Sequence, residues 1–86
     1  MILERSNHFK KCFKKIPHSI QELFEEKLSL MLDSNFSHPS LRIKKMKGTK
    51  DIWEMSVTMN YRMTFQFLEG GILLRKIGTH DILDNP

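Results

Sequence analysis

The sequence predicts an α+β fold in which an N-terminal helical hairpin packs on a four-stranded antiparallel sheet. Two observations carry that reading. Apolar residues recur at three- and four-residue spacing up to about residue 32, then switch to every second position from residue 41 onward. Pro17 interrupts the helical half, while Gly48, Asn60 and Gly70-Gly71 punctuate the extended half. No repeat, low-complexity stretch or linker divides the 86 residues, so one domain is expected over residues 1–86. Area scaling puts a 10.2 kDa chain at roughly 64 % of its unfolded surface buried, enough for one modest core.

The first helix is expected over residues 4–15, with Phe9, Cys12, Phe13 and Ile16 as its apolar stripe. After Pro17, Ser19 and Glu22 have the spacing of a capping box, in which hydroxyl and carboxylate satisfy reciprocal backbone amides. Ile20, Leu23, Phe24, Leu28 and Met31 then line one face of a second helix, and Glu22, Glu25 and Glu26 its solvated side. Residues 33–40 read as a loop. Leu41 and Ile43 alternate with Arg42 and Lys44 in a first strand. Residues 52–59 and 61–68 are two longer alternating strands, and 72–77 a fourth. Trp53, Met55, Val57, Met63, Phe65 and Phe67 are expected beneath the helices. Glu54, Ser56, Arg62, Thr64 and Gln66 are expected on the opposite, wet face.

Fourteen Lys and Arg against ten Asp and Glu give a net charge of +4 and a pI near 9.4. The charges are segregated. Arg5, Lys10, Lys11, Lys14 and Lys15 form one basic block, and Arg42, Lys44, Lys45, Lys47 and Lys50 another. Such clusters favour anionic partners, with a strength that falls as salt rises. Cys12 is the only cysteine, so no intrachain disulfide can form. No apolar run approaches membrane-spanning length, and the N-terminus lacks a secretory segment. A cytoplasmic location without membrane attachment is therefore expected.

The four histidines have no metal-ligand spacing, and no Gly-rich phosphate loop precedes a helix. Ser56, His80 and Asp81 contain the residue types of a hydrolytic triad but no nucleophile elbow. Arg62 is more informative. An arginine alternating within an apolar strand must face the wet side, either paired with Glu54 across the hairpin or free to clamp a phosphate. His80 follows the last strand, where it is placed either for proton transfer or to hydrogen-bond the final turn with Asp81 as cap. RNA cleavage by the adjacent 2′-hydroxyl needs a base, an acid and cations but no cofactor. Glu54 and His80 are the candidate proton-transfer groups, Arg62 the candidate clamp, and Lys44, Lys45, Lys47 and Arg42 the candidate RNA-binding residues.

Met46-Lys47-Gly48, the strand Tyr61-Arg62-Met63-Thr64-Phe65, and Gly78-Thr79-His80-Asp81 occur in the order and spacing of the RelE/ParE toxin superfamily, which the chain resembles over nearly its whole length. The resemblance implies the toxin of a type II toxin–antitoxin pair. Its RelE-, YoeB- and YafQ-like members cut mRNA in the ribosomal decoding site without metal or other cofactor, and a cognate antitoxin silences them. On this resemblance Arg62 matches the strand arginine of RelE- and YoeB-like members, and His80 the histidine of the Gly-Thr-His ending of YafQ-like members. Lys44, Lys45 and Lys47 fall near the basic residues that precede the turn in RelE-like members. The implied partners are an antitoxin and mRNA with ribosomal RNA contacts. This chain has Ser56 and Asn60 where YafQ-like chains carry a second histidine and an aspartate, and no tyrosine near its C-terminus. The alternative is a ParE-like gyrase inhibitor, or a catalytically silent binding member of the same fold.

Overall fold

A computed structural model describes residues 2–86. In chain order the elements are strand β1 (Ile2–Arg5), helices α1 (Asn7–Lys15) and α2 (His18–Asp33), a 3₁₀ turn (Pro39–Leu41), strands β2 (Lys44–Lys45), β3 (Ile52–Ser56), β4 (Tyr61–Leu68) and β5 (Gly71–Thr79), and a second 3₁₀ turn (His80–Asp84). The architecture is α+β: two helices on one sheet of order β1-β5-β4-β3-β2. The β2–β3, β3–β4 and β4–β5 pairs are antiparallel, whereas β1 joins β5 in parallel.

The sheet thus has five strands rather than four, and the extra one corrects the expected start of the first helix. Residues Ile2–Arg5 pair with Gly71–Leu74, and Ser6 separates them from α1. Ser6 caps the helix by accepting the Phe9 amide at 3.0 Å, and its hydroxyl donates to the Arg75 carbonyl at 2.9 Å. One serine therefore ends the strand, starts the helix and ties both to β5. The capping box does not form. Pro17 is the cap of α2, its carbonyl accepting the Ile20 and Gln21 amides at 3.0 Å each. Ser19 falls inside the first turn, and Glu22 pairs with exposed His18 at 2.7 Å.

Phe9 from α1, Phe24, Leu28 and Met31 from α2, and Met55, Met63, Phe65, Ile72, Leu74 and Ile77 from the sheet form the buried core. Phe9, Phe13 and Phe24 pack with ring centroids 5.5–5.9 Å apart, and the Arg5 guanidinium lies over all three. Arg5 also meets Glu25 at 2.8 Å. That partly exposed pair contributes at most about 1 kcal/mol, against about 1.5–3 kcal/mol for each buried phenylalanine. Packing holds the hairpin down. Phe67, expected in the core, is 42 % exposed and meets Trp53 and Phe36 edge-on at the rim.

The first expected strand is mostly not a strand. The His38 ring accepts the Ser40 amide at 3.2 Å, Leu41 drops into the core, and Arg42 turns the chain in the left-handed region (φ 49°), so only Lys44–Lys45 pair with β3. Strand β3 likewise stops at Ser56 instead of Met59. The Tyr61 carbonyl accepts the Val57 and Thr58 amides at 3.0 and 3.1 Å, and Met59 projects 83 % exposed from the resulting turn.

Strand β5 carries Leu73-Leu74-Arg75-Lys76-Ile77, a run that a period of two cannot place on two faces. A bulge solves this: Thr64 pairs with Lys76 and Phe65 with Leu74, so Arg75 is the extra residue. Leu74 and Ile77 both stay in the core, and Arg75 and Lys76 both go to the other face. That second face is not open, which corrects the expectation of a wet surface: Thr64 is fully buried and Glu54 nearly so. Residues 80–86 cross it. The Pro86 carbonyl accepts from Arg75 Nε at 3.2 Å and from the Thr64 hydroxyl at 3.5 Å, and Lys76 donates to the Asn85 carbonyl.

At the β1–β5 contact a Cβ on Gly71 would lie 2.0 Å from the Ile2 carbonyl oxygen. Gly71→Ala is therefore expected to detach β1 and to lower stability by about 2–3 kcal/mol in urea denaturation, with loss of hydrogen-exchange protection at the Ile2–Arg5 amides. An unchanged midpoint with β1 still protected would contradict this account.

Candidate functional site

The chemistry-bearing side chains gather around the turn between β3 and β4. Arg62 enters β4 directly opposite Ser56 of β3 and Gly78 of β5. It is half-buried, and its Nη1 donates to the Ser56 hydroxyl and to the Thr58 carbonyl, both at 2.5 Å. Ser56 in turn donates to the same Thr58 carbonyl at 3.1 Å. Thr58 completes the turn by accepting the Asn60 and Tyr61 amides at 3.2 and 3.0 Å. Bonds from a charged donor contribute about 1.5–3 kcal/mol each, so the guanidinium is fixed through Nη1, while Nε and Nη2 make no side-chain hydrogen bond or ion pair among the described residues.

The Glu54–Arg62 salt bridge is not formed. Register sets Glu54 opposite Thr64, two positions along from Arg62, and the ion pair that Glu54 makes is with Lys44, a loose contact at 4.0 Å. Glu54, Lys44, Lys45 and Lys47 together line a depression of about 350 Å³ around the β2–β3 edge. Of the three lysines only Lys44 meets the nearly buried carboxylate; Lys45 stands opposite Trp53.

His80 opens the second 3₁₀ turn and is exposed. Its Nε2 lies 3.1 Å from the Met59 carbonyl oxygen. A carbonyl only accepts, so Nε2 carries the proton and Nδ1 of the neutral ring is left with the lone pair. This contact, and not a bond within the final turn, positions the ring. No Asp81 capping bond is made, and the 3₁₀ turn begins without a side-chain cap.

Arg62 and His80 therefore grip successive carbonyls of one turn, those of Thr58 and Met59, from two sides. They do not share a cavity. His80 lines a shallow depression of about 440 Å³ with Asn60, Tyr61, Thr79 and Asp81, whereas Arg62 lines one of about 240 Å³ with Arg42, Lys27 and Ser56. Arg42, expected beside the lysines of the first strand, belongs with Arg62 because its left-handed backbone redirects the chain. Sequence reasoning missed Lys27, and it weighed Ser56 as a triad member and a wet-face residue, not as a partner of Arg62. The signal for Lys27 was present: it lies four residues after Leu23 and four before Met31, on the packing side of α2 instead of the glutamate side. Among the described residues no group of three or more His, Cys, Asp or Glu could hold a metal ion, and no helix is long and apolar enough to cross a membrane.

No protein-family model matches the chain, and no curated protein matches it by sequence. Solved structures match it in shape. A chain of the RelB–RelE antitoxin–toxin complex from Methanococcus jannaschii superposes with a TM-score of 0.76 at 21 % identity, over 95 % of each chain. A chain of the E. coli DinJ–YafQ toxin–antitoxin complex gives 0.79 at 14 % identity, over 95 % of this chain and 94 % of that one. The intact E. coli RelBE complex gives 0.69 at 18 % identity, over 91 % and 94 %. With TM-scores of 0.69–0.79 and near-complete coverage of both chains, this chain has the fold of these RelE and YafQ structures.

Proposed function

We propose that the protein is the toxin of a type II toxin–antitoxin pair and that it cuts mRNA on the ribosome, in the cytoplasm, without a metal. The observation that carries this reading is Arg62, a half-buried guanidinium held through one nitrogen on the Thr58 carbonyl, next in the chain to the Met59 carbonyl that orients His80. In the reaction the 2′-hydroxyl of the RNA attacks the neighbouring phosphorus. The P–O5′ bond breaks, leaving a 2′,3′-cyclic phosphate and a 5′-hydroxyl. Arg62 neutralises the charge gathering on the phosphoryl oxygens, and because it is already held, little reorganisation is needed as that charge develops. His80 takes the 2′-hydroxyl proton at Nδ1 and returns it to the departing O5′, so that the ring ends neutral, held throughout by the Met59 carbonyl. Arg62 and His80 flank one turn, and for cleavage a single RNA strand must cross that turn and meet both.

Lys44, Lys45 and Lys47 supply a positive field for the incoming strand and for ribosomal RNA. Glu54 meets Lys44, so we assign it a positioning role and leave the proton transfer to His80. The fold likeness to chains solved as toxin–antitoxin complexes supports a cognate antitoxin as partner, one acidic enough to complement this surface.

Induced expression is expected to stop translation and to yield cut mRNA. Arg62→Ala is expected to slow cleavage by about 10²–10³-fold and His80→Ala by about 10²–10⁴-fold, each with an unchanged circular dichroism spectrum. Arg62→Lys keeps the charge but loses the fork and is expected to stay impaired. Undiminished growth arrest in both alanine variants rejects the assignment, and DNA damage without translation arrest replaces it with gyrase inhibition.

The orientation of His80 has its own test. ¹⁵N spectra of the neutral imidazole are expected to show the Nε2–H tautomer predominating. A predominant Nδ1–H form would remove Nδ1 as the proton acceptor.

A further inference from the structure

We propose that Lys27, Arg42 and Arg62 together form one phosphate-binding site that seats a backbone phosphate of a single RNA strand. This rests on the RNA-directed reading above, adds Lys27 to it, and joins Arg42 to the clamp instead of to the lysine cluster. The three cations come from three separate elements: half-buried Lys27 from α2, Arg42 from the bend after the first 3₁₀ turn, and Arg62 from β4. They line one depression with Ser40, Ser56 and Thr58, and no carboxylate lines it. None of the three forms an ion pair among the described residues, whose ion pairs join Arg5 to Glu25, His18 to Glu22 and Lys44 to Glu54.

Three like charges converging without a counter-charge repel one another unless an anion joins them. The chemistry of the ligand follows from the donors. Nη1 of Arg62 is already engaged, so the remaining edge of its fork, the Arg42 fork and a lysine ammonium suit a tetrahedral oxyanion. The cavity of about 240 Å³ is below the about 300–1,000 Å³ typical of small-molecule pockets. A phosphate fits it better than a whole nucleotide does. Arg42 strengthens the case, because a residue with a Cβ is disfavoured at φ 49°, and glycine would turn the chain there with less strain.

The test is fluorescence anisotropy of the full chain with a short fluorescein-labelled single-stranded RNA, its riboses 2′-O-methylated so that it cannot be cut, across a salt series. Lys27→Gln is expected to weaken binding roughly fivefold and to flatten the log–log salt slope by about 0.7. Arg42→Gly suits the left-handed backbone and keeps the fold, and it should do the same. Lys14→Gln, on the far end of α1, should do neither. Equal losses in all three variants mean a diffuse basic surface and overturn the site. Wild-type affinity and slope in Lys27→Gln, or no binding by the wild-type chain, also overturn it. The two readings fail separately. Translation arrest in cells with unaltered binding by Lys27→Gln sinks the site alone, whereas normal translation with the expected binding losses sinks the nuclease and leaves the site.

Discussion

Strand β4 is paired on both sides from Arg62 to Gln66, and its register decides where every chemically useful side chain points. Met63 and Phe65 face the helices, so Arg62, Thr64 and Gln66 must face the other way. Opposite them on β3 stand Ser56, Glu54 and Ile52, and on β5 Gly78, Lys76 and, past the bulge, Leu73. A slip of one residue would drive Arg62 into a core of phenylalanine and methionine, where an unpaired charge is prohibitively costly. The hydrophobic core therefore sets the position of the guanidinium, and Ser56 and Thr58 only trim its angle.

The turn between β3 and β4 converts that register into a site. It is short, closed by the Tyr61 carbonyl and the Thr58 hydroxyl, and its two outward carbonyls are taken by Arg62 and His80. Each catalytic candidate is thus also a structural fastener of the loop that carries the other's anchor. Rigidity and reactivity are coupled at this point, which places the groups before any ligand arrives.

Much of this was legible in the residues themselves. The change of hydrophobic period marked where helices give way to strands, and alternation in 61–68 located Arg62 on the face away from the core. What escaped was non-local. Ile2–Arg5 has too few residues for a period to register, and it becomes a strand only because β5 offers an open edge next to a glycine. The Ser19–Glu22 spacing was sound chemistry, but α2 begins at His18, so Ser19 lies within the first turn and no side chain caps the helix. Alternation through Leu41–Lys44 looked like a strand until His38 and Pro39 wound the chain into a 3₁₀ turn. The grouping of the candidates was the least accessible part. Arg42 sits two residues from Lys44 in sequence yet faces a different cavity, and Lys27 joins Arg62 only through the packing of α2 on the sheet.

The two outer strands also bear on how copies of the chain behave together. One border of the sheet is the two-residue β2, made of two lysines, and the other is the four-residue β1, which bears Glu4 and Arg5. Short borders give a neighbouring backbone little length to pair with, and a second copy meeting the β2 lysines with its own would face a like charge. A sheet of this size with bare central strands at its margins would invite edge-to-edge aggregation. Here both margins are short and the β2 margin is cationic, so the β1 margin, where Ile2 and Leu3 stay exposed, is the side on which strand pairing is least opposed.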